Sequence, residues 1–304
     1  MTLSIGIKSD PVEYRYSYEW LFGLMREMRV ENLQLGSCFE FYHVDDSYFR
    51  DLRALAERHG VRIRSCFTAH RELGGFFTGD QRLESVARRS YERWIEIGGL
   101  LGADFVGSNP GAVYRDRIEH KSTGSSIFLR HLTELLHKAA GAGLRGLTME
   151  PMSSAAEPPS LPDELEHFAR TACGYHDEHP GTTAAAFFCG DISHGVVDAS
   201  GEVLHDHWEL FEIEIPFMAE FHFKNTDARY HSTFGFGPAG RNGIIDLGEL
   251  REILDRRSDD FPVEELVGYL EIGGPKLGRD DTDPLLPDEL AESIDAIRTV
   301  FPES

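Results

Sequence analysis

Cysteine is scarce in this sequence and carries no pairing motif. The four cysteines among 304 residues are Cys38, Cys66, Cys173 and Cys189, and none forms a CxxC pair. They read as buried small hydrophobes of a reducing compartment. Basic charge is also short. Thirty Lys and Arg face 52 Asp and Glu, a formal net charge of -22, with no dense Lys/Arg cluster. A protein that grips nucleic acid needs a basic stripe, because counterion release supplies much of its affinity, so the charge argues against that function class. No apolar run approaches the roughly 20 residues that span a bilayer. The opening MTLSIGIKSD lacks a basic and then apolar leader, so the expected location is cytoplasmic. Compositional bias is absent too: 41% hydrophobic and 27% charged residues exclude long disorder. No linker or low-complexity stretch divides the chain, so one domain over 1–304 is expected.

What the sequence does have is a rhythm. Short apolar runs alternate with longer amphipathic segments. Strands are predicted at Leu3–Ile7, Asn32–Leu35, Val61–Phe67, Asp104–Gly107, Leu147–Glu150, Thr183–Phe188, Ala219–Phe223 and Val267–Glu271, the last beginning near Glu265. Helical spacing follows each, over Trp20–Met28, Asp45–His59, Arg82–Leu101, Ile127–Ala142, Pro162–Cys173, Leu204–Ile213, Leu247–Asp255 and Pro287–Val300. Gly60, Gly102 and Gly143 supply left-handed helix stops. Eight strand–helix units predict a parallel sheet and an α/β fold, a single (β/α)8 TIM barrel. A doubly wound sheet competes, but no Gly-rich phosphate fingerprint follows the first strand. Irregular pieces are expected at 153–161, 189–203 and 226–244.

In such a barrel the chemistry sits at the C-terminal strand ends. The fifth strand ends at Glu150-Pro151. The sixth runs on to Asp191-Ile192-Ser193-His194. The seventh carries His222-Phe223-Lys224-Asn225, and the eighth ends at Glu271. Four consecutive strands thus deliver Glu, Asp, His and Glu to one face. Three carboxylates and an imidazole would repel one another without a cation, and this oxygen and nitrogen set suits Mn, Mg, Co or Zn. A lone acidic residue at a strand end is more often a helix cap or a rim ion pair.

This ordered set resembles the xylose isomerase-like barrels, in style the ketose 3-epimerases and sugar-phosphate isomerases. The resemblance implies one divalent metal held by Glu150, Asp191, His222 and Glu271. It further implies that Glu150 and Glu271 are the catalytic acid/base pair, and that His194 hydrogen-bonds the substrate. His70, at the end of Ser65-Cys66-Phe67-Thr68-Ala69-His70, and Asn109, in Gly107-Ser108-Asn109-Pro110-Gly111, match pocket-lining strand ends. Lys224, Arg229 and Glu157 complete the implied substrate contacts. The expected activity is proton abstraction next to the carbonyl of a ketose or small ketose phosphate, through a metal-stabilised enediolate. Arg229, Arg241, Lys276 and Arg279 follow the last two strands, where many barrels hold phosphate. Phe39, Phe41, Tyr42, Phe76 and Phe77 could wall the sugar or form a subunit interface, and a homo-oligomer is compatible with either.

Three alternatives stand beside this reading. One is a metal-dependent dehydratase of an inositol-like polyol, which shares the ligands. Another is an AP-endonuclease-like DNA repair enzyme. It is opposed by the charge of -22, by Asn109 where a His is needed, and by Asp227-Ala228-Arg229-Tyr230-His231, which lacks a clean Asp-x-His. The third is a non-catalytic sugar-binding protein, which would have no need of a complete ligand set.

Overall fold

The apolar runs form strands and the amphipathic segments form the helices between them. The computed structural model describes residues 1–302 apart from 241, without the side chains of 70, 71 and 239. In chain order the elements are β1 (Thr2–Lys8), α1 (Tyr18–Met28), β2 (Asn32–Gly36), α2 (Asp46–Arg58), β3 (Arg62–Thr68), α3 (His70–Leu73) and α4 (Gln81–Leu101). There follow β4 (Phe105–Ser108), α5 (Lys121–Gly141), β5 (Gly146–Met149), α6 (Pro162–Glu178) and β6 (Ala185–Asp191). The chain ends with β7 (Val196–Val197), β8 (Val203–His205), α7 (His207–Glu214), β9 (Met218–Phe223), α8 (Leu247–Arg256), β10 (Glu265–Leu270) and α9 (Leu286–Val300). The sheet closes as β1-β10-β9-β6-β5-β4-β3-β2. The expected eight-stranded parallel barrel is present, and closure excludes the doubly wound alternative.

Local chemistry sets the helix ends. Ser17 accepts the Trp20 amide at the start of α1, and Asp246 accepts those of Gly248 and Glu249 at the start of α8. Each cap occupies a backbone donor that the first helical turn leaves unpaired, worth about 1 kcal/mol. Helix α4 is capped by Asp80 at its start and by Gly102, whose left-handed φ of 72° ends it. Its buried stripe of Tyr91, Trp94, Ile95 and Leu101 is the helical periodicity of the sequence made solid.

The structure departs from expectation in three places. Helix α5 starts at Lys121 rather than Ile127. Its first turns are Ser- and Gly-rich, but Gly124 lies under Phe77, where a Cβ would come 2.5 Å from the ring. Packing there overrides weak propensity. The stretch 189–203 is only partly irregular: it holds the end of β6 and the antiparallel pair β7–β8. The stretch 226–244 is pinned at its root. Asn225 and Phe234 exchange backbone hydrogen bonds, and Asn225 Oδ1 accepts the amides of Thr226 and Ile245.

The chain gathers into two compact units. Met1–Leu35, Ala54–Arg62 and Gly190–Ser304 form the first, and Gly36–Arg53 with Ile63–Cys189 the second. In the first, Ile7, Leu33, Phe221, Phe223 and Leu270 are fully buried strand residues. Close approach inside it needs Gly6, where a Cβ would stand 2.5 Å from the Tyr269 ring. The second is built on β3, β4 and β5, with Trp94, Phe128 and Phe168 among its buried aromatics. Phe76 and Phe77 pack on Phe128, and Phe41 on Trp94 and Phe49, so these three are core side chains rather than a pocket wall. Among the described residues, no helix is long and apolar enough to cross a membrane.

Candidate metal centre

Strand ends position the four predicted ligands. Asp191 is the last residue of β6, His222 lies within β9, and Glu150 and Glu271 each follow the last residue of β5 and β10. Each offers one ligand atom, and these atoms all lie within 4.8 Å of one another. Donors about 2.0–2.6 Å from a shared cation must lie within roughly twice that span. Asp191 and His222 are fully buried, Glu150 nearly so.

Each ligand is held by the atom or edge turned away from the centre. Asp191 Oδ1 accepts the Ser193 amide at 2.8 Å and the Ser193 hydroxyl at 2.7 Å. Glu271 Oε1 accepts from Lys8 Nζ at 2.9 Å. His222 Nε2 donates to Gln34 Oε1 at 2.8 Å, which leaves Nδ1 facing Glu271 Oε2 at 3.1 Å and Asp191 Oδ2 at 3.8 Å. Glu150 accepts from the Asn109 amide, which also meets Met152 Sδ. Anchored ligands of this kind are what a metal centre requires, because outer partners fix both orientation and tautomer.

Buried charge must be balanced to be tolerated. Burial alone would raise the Asp191 pKa, but His194, Lys224 and the His222 hydrogen bond overcome it and hold the carboxyl below its usual range. Burial likewise opposes ionisation of Glu271, and Lys224, Lys8 and His222 reverse it. Lys224 Nζ lies 2.7 Å from Asp191 Oδ2, 3.6 Å from Glu271 Oε2 and 3.0 Å from His194 Nε2. Both carboxylates are therefore present as anions, the form that binds a divalent ion. The Glu150, Asp191 and Glu271 carboxyls and the His222 imidazole, gathered within 4.8 Å, fit such an ion.

The other expected contacts divide. His194 and Lys224 join the Asp191–Glu271 group directly, and Asn109 joins Glu150. Glu157 is half-buried in the loop after β5, its amide donating to the Ser154 carbonyl. Arg229 is exposed, its guanidinium resting against Gly201, and Lys276 and Arg279 are exposed as well. His70 opens α3, but its side chain is outside the described residues, as is Arg241. Lys8 and Gln34 were not expected. Their signal was faint: one polar residue inside an apolar strand, and one lysine at a strand end. Neither type has a recognisable spacing to a ligand far along the chain.

Fold and site together define a class: a closed (β/α)8 barrel with three carboxylates and an imidazole gathered at successive strand ends. The model of the xylose isomerase-like TIM barrel family matches residues 27–266, and the chain belongs to that family. Solved structures agree on the fold across nearly the whole chain. An inferred xylose isomerase from Rhodospirillum rubrum superposes with a TM-score of 0.76 at 18% identity, covering 98% of this chain and 99% of that one. D-psicose 3-epimerase from Clostridium cellulolyticum H10, solved with D-tagatose, gives 0.72 at 12% identity over 98% and 99%. An inferred 3-DHS dehydratase from Bacillus anthracis gives 0.64 at 11% identity over 97% and 98%. No curated protein sequence matches the chain.

Proposed function

We propose that the protein is a divalent-metal-dependent sugar isomerase or epimerase that removes a proton next to the carbonyl of a ketose. The observation that carries this is the Glu150, Asp191, His222 and Glu271 group, whose donor atoms lie within 4.8 Å of one another. Those four residues would hold the ion, with Mn, Mg, Co and Zn all compatible with the donors. Bound there, the ion would polarise the carbonyl and the neighbouring hydroxyl.

The chain's own residues do the rest. A general base must be fixed in place, and Glu271 is fixed by Lys8 as Glu150 is by Asn109. Either carboxylate can take the proton. If the other returns it to the opposite face, the product is an epimer. If the same one returns it to the adjacent carbon, the product is an aldose. The Lys224 ammonium is a donor beside the Asp191–Glu271 pair, suited to an oxygen gaining negative charge, and it also donates to His194 Nε2. The exposed positions of Arg229, Lys276 and Arg279 support a free ketose over its phosphate.

A second reading starts with the same proton removal and ends with loss of water, a dehydratase of a polyol or its ketone. The fold shared with the Bacillus anthracis protein supports keeping it. DNA repair and sugar binding without catalysis are disfavoured by the charge of -22 and by the anchored ligand set respectively. We read 1–304 as one barrel domain working in a reducing, cytoplasmic setting, in keeping with four free cysteines.

The test is metal analysis joined to thermal melting. Mn or Co should bind at one ion per chain and raise the melting temperature, since a ligand at 100 times its Kd stabilises by about 2.7 kcal/mol. EDTA should abolish turnover. A chain that neither holds nor responds to a divalent ion would end the proposal. Glu150→Gln and Glu271→Gln should each lower kcat by about 10²–10⁴-fold, whereas a sugar-binding protein would keep its affinity in both.

A further inference from the structure

Gln34 lies on β2 and His222 on β9, 188 positions apart in sequence, and both side chains are fully buried. A neutral imidazole has one N–H and one lone pair, so a His that binds a cation must keep its proton on the other nitrogen. The surroundings of His222 work against that. Nδ1 faces two carboxylate oxygens, at 3.1 Å and 3.8 Å, acceptors that compete for the ring's one proton. An acceptor on the far edge is needed to draw the remaining proton to Nε2. Gln34 Oε1, at 2.8 Å, is placed there.

We propose that Gln34 is a positioning residue for the metal centre, holding the Nε2–H of His222 so that Nδ1 is the atom presented to the cation. The proposal rests on the metal-dependent reading above. The choice of an amide has a physical reason. An Asp or Glu would orient the ring equally well, but it would add another buried anion to a centre that already holds three carboxylates. A neutral carbonyl sets the tautomer without that charge.

Three variants and one spectrum test it. Gln34→Leu keeps the bulk and removes the acceptor. Gln34→Asn keeps the amide but withdraws it by one methylene. Gln34→Glu keeps an acceptor in reach. Mn(II) and Co(II) affinities measured by calorimetry should fall about 10–100-fold in Gln34→Leu and Gln34→Asn, with Gln34→Glu recovering most of the loss. In Zn-loaded wild type, nitrogen-15 NMR should show the His222 proton on Nε2, hydrogen-bonded and slow to exchange. A Gln34→Leu that fails to fold leaves Gln34→Asn and the wild-type spectrum to decide. Wild-type affinity in Gln34→Leu or Gln34→Asn, or a His222 proton on Nδ1 in the loaded protein, would overturn the proposal. Failure of the parent reading shows itself separately: the wild type would bind neither ion, and the role of Gln34 would fall with it.

Discussion

At the scale of single residues, the centre is a contest between burial and pairing. Lys8 is buried and Lys224 half-buried, and each is set against carboxylates rather than left to solvent. Lys8 bridges Glu271 and Asp10, so its loss should free the anchored oxygen of Glu271. Lys8→Met is expected to lower kcat by about tenfold while leaving the fold intact, the misplacement of a positioned base being costly; unchanged kinetics would show that Glu271 needs no such anchor. His207 illustrates the opposite outcome. Burial lowers its pKa, with Asp206 and Asp191 pushing only partly back, and its Nε2 has no hydrogen-bond partner among the described residues. The fold therefore favours the neutral ring. That stability is complete above the unfolded value of about 6.5 and is lost as pH falls through the lower folded value. Melting temperature measured between pH 7 and pH 5 should fall more steeply for the wild type than for His207→Gln. Parallel curves would remove His207 from the account.

At the scale of elements, the strand–helix alternation was legible because each unit repeats one physical pattern: a buried apolar strand, then an amphipathic helix with a polar cap. Asp206 and Asp246 are such caps, each accepting amides of the helix it precedes. Asp246→Ala should cost about 1 kcal/mol, read as a lower urea midpoint with an unchanged slope, and a null effect would mean that packing alone holds α8. The gathering of Glu150, Asp191, His222 and Glu271 was legible for a related reason. Each sits in or at the end of an apolar run, where a carboxylate or imidazole is costly without a partner. Gln34 and Lys8 were not legible as partners, because their contacts join β1 and β2 to β9 and to the residue after β10. No local spacing encodes a contact made across barrel closure. The β7–β8 pair was missed because two- and three-residue strands carry no measurable periodicity. The early start of α5 was missed because Phe77 on Gly124, not helix propensity, decides it.

At the scale of the whole molecule, the net charge of -22 acquires a finer meaning. Three of its carboxylates form the centre, and two of them are held ionised by lysines and histidines. In the metal-free protein this predicts an acid limb. The depressed pKa values of Asp191 and Glu271 contribute stability that is full above about pH 4 and is lost as pH falls toward their folded values. The central claim is that this arrangement moves a proton beside a ketose carbonyl. The most direct test is a panel of free ketoses and their phosphates, incubated with Mn-loaded protein in D2O and read by NMR. Solvent deuterium should enter the carbon next to the carbonyl of at least one free ketose, and should not do so with Glu271→Gln. A protein that binds the metal yet leaves the whole panel without deuterium would contradict the account.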